Sequence, residues 1–298
     1  MTEPLFVDDT GNPDGPPILF VHGFMSSNLQ WEPNRAGLGA ELRLLLTEQP
    51  GHGRSPGPDD LAAYRTDAVL EQLDQIRADR GIDQWWVAGQ SLGGAMVVRY
   101  ALRHPDRVRG VVFTNSRAVF GVTGRRAERQ LREQVANSAA GNGGDDDASD
   151  HEDGATERAG ADGADRAARG RRRGGLPTEP TRQDIQALPY HPRNARRIPE
   201  DLKARMVEVA DAMPMAVFRH LRNAGPWKSS DELHQLEVPT LLINGRFEKV
   251  FQPCVAEARA SVPDLRVVDL DGGHSVNIDQ PEAFNAAVLE FVAATGQC

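Results

Sequence analysis

Of all the side chains able to do covalent chemistry, Ser91 has the most telling neighbours. The stretch Val87-Ala88-Gly89-Gln90-Ser91-Leu92-Gly93-Gly94 runs an apolar segment straight into a serine held between two glycines. A Gly-x-Ser-x-Gly arises often by chance, and its bland reading is a flexible turn. Here the residues before it read as a strand and those after it as a helix. In that context a strained turn needs small neighbours so that the serine can stand clear. The hydroxyl would also lie near a helix N-terminus, which favours developing negative charge. The chemistry implied is nucleophilic attack on a carbonyl.

A serine alone is a poor nucleophile and needs a base within reach. Of eight histidines, His274 in "DLDGGHSVNIDQPEAF" follows the last apolar run and precedes the last helical segment. In an open parallel sheet, residues at strand C-termini gather in one crevice, so His274 is placed to meet Ser91. His104 before Pro105, His234 in a polar stretch and His151 in an acidic tract are poorer bases. The acid that orients the imidazole is expected at Glu248 in "LLINGRFEKVFQP", just past another strand. Asp269 and Asp271 stay open for that role. The competing position after the strand ending near Thr114 offers Asn115, Ser116 and Arg117, none a carboxylate. The order Ser91, Glu248, His274 is the nucleophile, acid, base order of one fold. An oxyanion hole needs backbone N–H donors. They are expected at Phe24, in "VHGFMSSNLQW", and at Leu92; the Phe24 side chain either lines the acyl pocket or joins the core.

These residues need a frame. "PPILFVHG" (16–23), "LRLLLTEQ" (42–49), "WWVAGQ", "VRGVVFTN", "VPTLLING" and "LRVVDLDGG" are short apolar runs that read as buried strands. Helix-period segments lie between them at 59–81, "LGGAMVVRYALRH", "CVAEARASV" and "PEAFNAAVLEFVAA". Such alternation means an α/β protein, a mostly parallel central sheet flanked by helices on both faces. The pattern breaks between two core parts, 1–116 and 236–298. Residues 117–235 hold helical candidates, "RRAERQLREQVANSA" and "PEDLKARMVEVADAMPMAVFRHLRNA", expected to form an inserted helical cap. Within it, about 139–175 is Gly, Ala, Asp and Arg with nine acidic residues between Asp145 and Asp165. So little apolar area cannot offset the entropy of ordering, and disorder is expected there.

Composition limits the partners. The net charge is -9 and the pI about 5.4, which argues against nucleic acid, since phosphate binding needs a clustered positive surface. Lys203, Lys228 and Lys249 are the only lysines among 34 basic residues, a bias that GC-rich coding or salt adaptation would each produce. No apolar run reaches the roughly 18 residues that span a bilayer. The N-terminus lacks a signal-peptide pattern. Two cysteines, Cys254 and Cys298, make no disulfide framework. The expectation is a cytoplasmic monomer or homodimer with a small-molecule substrate, no membrane association, no cofactor and no metal.

In order along the chain stand "HGF" (22–24), "PGHGRS" (50–55), "GQSLGG" (89–94), "ALRHPDRVRGVV" (101–112), "GRFEKVFQP" (245–253) and "GGHSVNIDQPEAF" (272–284). As a set these resemble the α/β-hydrolase superfamily, in its single-domain, cofactor-independent branch, over roughly 5–116 and 236–293. The resemblance implies the α/β-hydrolase fold and a serine hydrolase cleaving an ester or lactone of a small, largely apolar molecule. The family usually has aspartate where Glu248 and Glu48 stand. Ser91 at the elbow speaks against the dehalogenase and epoxide hydrolase branches, and His52 reads as structural. Carbon–carbon bond hydrolases, enol-lactonases, cofactor-free haloperoxidases and the lyase of menaquinone synthesis share the frame, as does a small-molecule receptor with a slow triad. Arg117, Arg219, Arg222 and Trp227 are candidates to meet a carboxylated substrate, or are simply solvated or packed.

Overall fold

The strand runs are apolar on both sides because both faces of the sheet are covered. In Pro17–Val21 (β2), Leu19 and Val21 pack into one core layer while Ile18 and Phe20 pack into the other. This is the two-residue period of a strand expressed twice over. The same division holds in Arg43–Thr47 (β3), with Leu45 on one face and Leu44 and Leu46 on the other. The structure, a computed structural model, describes residues 3–121, 179–223 and 227–296. The other strands are Val7–Gly11 (β1), Trp85–Gln90 (β4), Val108–Thr114 (β5), Thr240–Gly245 (β6) and Leu265–Leu270 (β7). They form one sheet in the order β1-β3-β2-β4-β5-β6-β7, with β1 antiparallel to β3 and every other pairing parallel.

Helices Thr66–Ala78, Leu92–Arg103 and Gln252–Ser261 cover one face, and Arg35–Gly39 and Pro281–Thr295 cover the other. From β2 the chain steps outward to β3, then crosses back over β2 to β4. The direction of winding therefore reverses between β2 and β4, and the loops after these strands part around a crevice. Those loops carry His22–Ser27 and Ser91.

Three local expectations need correction. The edge strand β1 was not foreseen, because Val7-Asp8-Asp9-Thr10-Gly11 is too polar to signal burial; it forms by pairing Val7 with Thr47 through Gly11 with Arg43. The single helix expected over 59–81 is two pieces, a 3-10 turn Leu61–Tyr64 and the helix Thr66–Ala78. Arg65 between them is extended, and the Asp60 side chain caps the first piece by accepting from the Ala62 amide. The long helix expected near 199–224 is also two, Glu200–Ala212 and Met215–Asn223. Pro214 is the cause, since it supplies no N–H and drives Met213 out of helical geometry. The helix expected at "RRAERQLREQVANSA" and the tract 139–175 lie outside the described residues.

Between β5 and β6, Arg182–Gln186, Glu200–Ala212 and Met215–Asn223 stack over the sheet's C-terminal edge. Ile185, Ala210, Met213, Val217 and Phe218 from these helices bury against Met25, Ala63 and Tyr64 of the core. Among the described residues no helix is long and apolar enough to cross a membrane.

Candidate active site

Ser91 sits at the corner between β4 and the helix Leu92–Arg103 with φ 53° and ψ -115°. A non-glycine residue in such a conformation is strained and persists only where its surroundings over-determine it. Here they do. The Ser91 amide donates to the Thr114 carbonyl at 3.0 Å, and the Ser116 hydroxyl donates to the Ser91 carbonyl. A Cβ on Gly93 would collide with the Val21 carbonyl, and one on Gly89 with the Gly93 carbonyl. The two glycines are thus required by backbone contact, and the serine side chain is left in the open corner. Its hydroxyl hydrogen-bonds to nothing in the structure.

The neighbouring loop is held by two neutral histidines, each donating from one ring nitrogen and accepting at the other. His22 Nδ1 donates to the Gly23 carbonyl at 2.7 Å, while its Nε2 accepts from the Gln49 amide at 3.1 Å. His52 Nδ1 donates to the Pro50 carbonyl at 3.2 Å, and its Nε2 accepts from the Met25 amide at 3.3 Å. Accepting from a backbone N–H requires an unprotonated nitrogen, so both rings are neutral. Burial agrees: it depresses His22 to about 4 and His52 to about 3, the latter helped by His22 beside it. Gly23's carbonyl and Met25's amide are therefore occupied, and Met25 is bent to φ 56°. The amide between them, Phe24, has no hydrogen-bond partner among the described residues. Leu92, the first residue of its helix, likewise presents an N–H with no intrahelical acceptor. Ser91 adjoins this loop, since a Cβ on Gly23 would lie 3.3 Å from Ser91 Cβ.

His274 reaches the same edge after β7. The Gln90 side chain donates to its carbonyl at 3.0 Å, tying the histidine loop to the residue before Ser91. His274 Nδ1 lies 2.8 Å from Glu248 Oε2, and Nε2 has no partner among the described residues. Glu248 is largely buried, yet its pKa is lowered: burial pushes it up, and His274, Asn115 and Arg117 together outweigh that. No hydrogen bond joins Ser91 to His274 in this structure; such contacts are often long before substrate binds.

The alternatives for the acid are engaged elsewhere. Asp269 accepts from Asn244 at 2.7 Å, and Asp271 pairs with Arg246. The sequence reading passed over Asn115, whose Nδ2 donates to Glu248 Oε2 at 2.7 Å. Its position past the end of β5 was the only signal, and a search for carboxylates discards an amide. Of the residues considered for a carboxylated substrate, Arg117 Nε lies 3.5 Å from Glu248 Oε1 and Arg219 lies 3.4 Å from Glu179. Trp227 is buried in the core; the Arg222 side chain lies outside the described residues. Glu48 accepts from the Arg54 amide at 2.6 Å and so fixes the "PGHGRS" turn. Cys254 is a buried thiol pushed up to about 12 by burial, which makes it inert.

The Phe24 ring faces Phe218 at 5.5 Å and Tyr190 at 6.1 Å between centroids, beneath the helices between β5 and β6. On the other side, Phe247 is half exposed, with the Arg197 guanidinium 4.7 Å above its ring. Apolar surface thus borders both sides of the crevice.

Comparison with known proteins fits this geometry. The model of the family described as alpha/beta hydrolase fold matches residues 16–281. The carboxylesterase YbfK of Bacillus subtilis is 27% identical over 290 residues, covering 95% of this chain and 82% of that protein. RutD of Escherichia coli, which carries a carbamate-hydrolase name, is 25% identical over 294 residues, covering 94% of this chain and 92% of its own. Among solved structures, an esterase from Exiguobacterium antarcticum superposes with a TM-score of 0.69 at 16% identity, covering 97% of this chain and 95% of that one. At that identity the superposition speaks for the fold alone.

Proposed function

The chain belongs to the α/β-hydrolase family and is an α/β-fold hydrolase, and from that premise we propose that it is a serine hydrolase cleaving an ester or lactone of a small, largely apolar molecule. The observation that carries this is the 2.8 Å contact of His274 Nδ1 with Glu248, which leaves Nε2 unpartnered among the described residues, in a loop that Gln90 ties to the residue before the strained Ser91. One ring nitrogen anchored on a buried carboxylate and the other free is what a general base requires. The carboxylesterase name of YbfK supports the same class of bond. The aromatic and aliphatic side chains at Phe24, Val217 and Phe218 favour an apolar acyl group.

In this mechanism His274 takes the Ser91 proton as the oxygen attacks the carbonyl carbon. The amides of Phe24 and Leu92 hold the oxyanion, donors already fixed in place and needing no reorganisation. The imidazolium, stabilised by Glu248, then protonates the leaving alcohol. A water deprotonated by the same ring attacks the acyl-enzyme; collapse of that second adduct releases the acid and returns the proton to Ser91. The described helices Arg182–Gln186, Glu200–Ala212 and Met215–Asn223 act as a cap over the acyl pocket.

The test is hydrolysis of a p-nitrophenyl ester of short chain by the wild type and by Ser91→Ala. The variant is expected to fold normally and to lose at least about a thousandfold in kcat. Wild-type-like turnover by Ser91→Ala would remove the serine from the reaction.

A further inference from the structure

Asn115, at φ 41°, brings the ends of β5 and β6 together. A left-handed asparagine ordinarily folds its side chain back on its own backbone. This one reaches across instead. Its Oδ1 accepts from the Gly245 amide at 2.9 Å, and its Nδ2 lies 2.7 Å from Glu248 Oε2 and 3.2 Å from the Gly273 carbonyl. One amide group therefore touches the strand end that carries the acid, the acid itself and the residue before His274. Two residues on, Arg117 Nε faces the other carboxylate oxygen, Oε1, at 3.5 Å.

We propose that Asn115 and Arg117 are positioning residues for the acid: Asn115 holds the Glu248 carboxylate in the rotamer that faces His274, and Arg117 balances its charge. The inference rests on the serine-hydrolase reading. Glutamate has one more side-chain torsion than the aspartate usual in the family, so its carboxylate needs more to fix it. Asn115 donates to the very oxygen that accepts from His274, which leaves that oxygen little freedom to turn away. The Arg117 guanidinium supplies positive charge that helps keep the buried Glu248 carboxylate ionised. The ionisable groups facing Glu248 are His274 and Arg117, with Cys254 and Glu257 of the following helix behind them.

Three variants test this, with Ser91→Ala run alongside. Arg117→Gln removes the cation beside Oε1 and is expected to lower kcat several-fold with KM within about twofold. Asn115→Ala is expected to lower kcat about tenfold or more with KM within about twofold. Asn115→Asp keeps the acceptor for Gly245 but removes the donor to Glu248 and adds a like charge. It should stay folded by circular dichroism and lose kcat with KM little changed. If Asn115→Ala does not fold, the other two variants decide. Wild-type kcat in the folded Asn115 variants and in Arg117→Gln would overturn the inference while leaving the serine mechanism intact. Activity surviving in Ser91→Ala would instead overturn the reading beneath it.

Discussion

Glu248 is where the site departs from the pattern it resembles, and the structure gives the departure a physical basis. A carboxylate contacted by His274, Asn115 and Arg117 stays ionised despite burial, because donors to the charged form outweigh the loss of solvent. Glu248→Gln keeps the shape but replaces an acceptor with an amide, so His274 loses the partner that fixes its tautomer. The expected result is a fall in kcat of roughly 10²–10⁴ with KM little changed, measured on the same p-nitrophenyl ester. A fall of less than threefold would move the acid role to another residue. Sequence alone placed the acid at Glu248 and left Asp269 and Asp271 open, because all three lie at or near strand ends on one edge. It could not close those alternatives, since that depends on which way each side chain points. Asn244 and Arg246 draw the two aspartates away.

The elements set the reactive corner through backbone contact more than through side chains. Gly93 exists because the first turn of its helix passes against the end of β2, where a methyl group would strike the Val21 carbonyl. Gly93→Ala is therefore expected to destabilise by about 1–3 kcal/mol through overpacking and to distort the Ser91 turn. A lowered denaturation midpoint together with a loss of kcat checks this; an unchanged midpoint and rate would contradict it. The strand-turn-helix context of Ser91 was legible because apolar runs and glycines are local signals. The breaks at Arg65 and Pro214 were harder: the apolar spacing continues across each break, and the chain turns there to bring Tyr64 and Phe218 into one cluster. β1 was invisible for a related reason. Its residues are polar enough to pass for a loop, and only pairing with β3 makes them a strand.

At the scale of the whole molecule, the two neutral histidines that hold the His22–Ser27 loop make stability depend on pH. Both have folded pKa values, about 4 and about 3, below the ordinary 6.5. The unfolded chain therefore binds more protons, and their contribution is complete above about pH 6.5 and shrinks as pH falls toward those values. Together the two rings withdraw on the order of a few kcal/mol by pH 5.5, so Tm should drop by several degrees, roughly 5 °C, between pH 7 and 5.5. His104 and His191, also lowered by burial, act in the same direction. In His52→Gln the drop should be visibly smaller; an identical drop would show that the ring titrates freely. How the sheet winds was predictable from alternating patterns, and with it the meeting of the loops after β2, β4, β6 and β7. How the segment between β5 and β6 folds over that edge was not, because its helices take their angles from the aromatic contacts of Phe24, Tyr190 and Phe218. The account as a whole stands on a covalent intermediate at one serine. Labelling with a fluorophosphonate, followed by intact and peptide mass spectrometry, reads that directly. One adduct per chain, on the peptide containing Ser91 and absent from Ser91→Ala, is the predicted result; an active protein that takes up no label there, or takes it up equally in the alanine variant, would contradict the account.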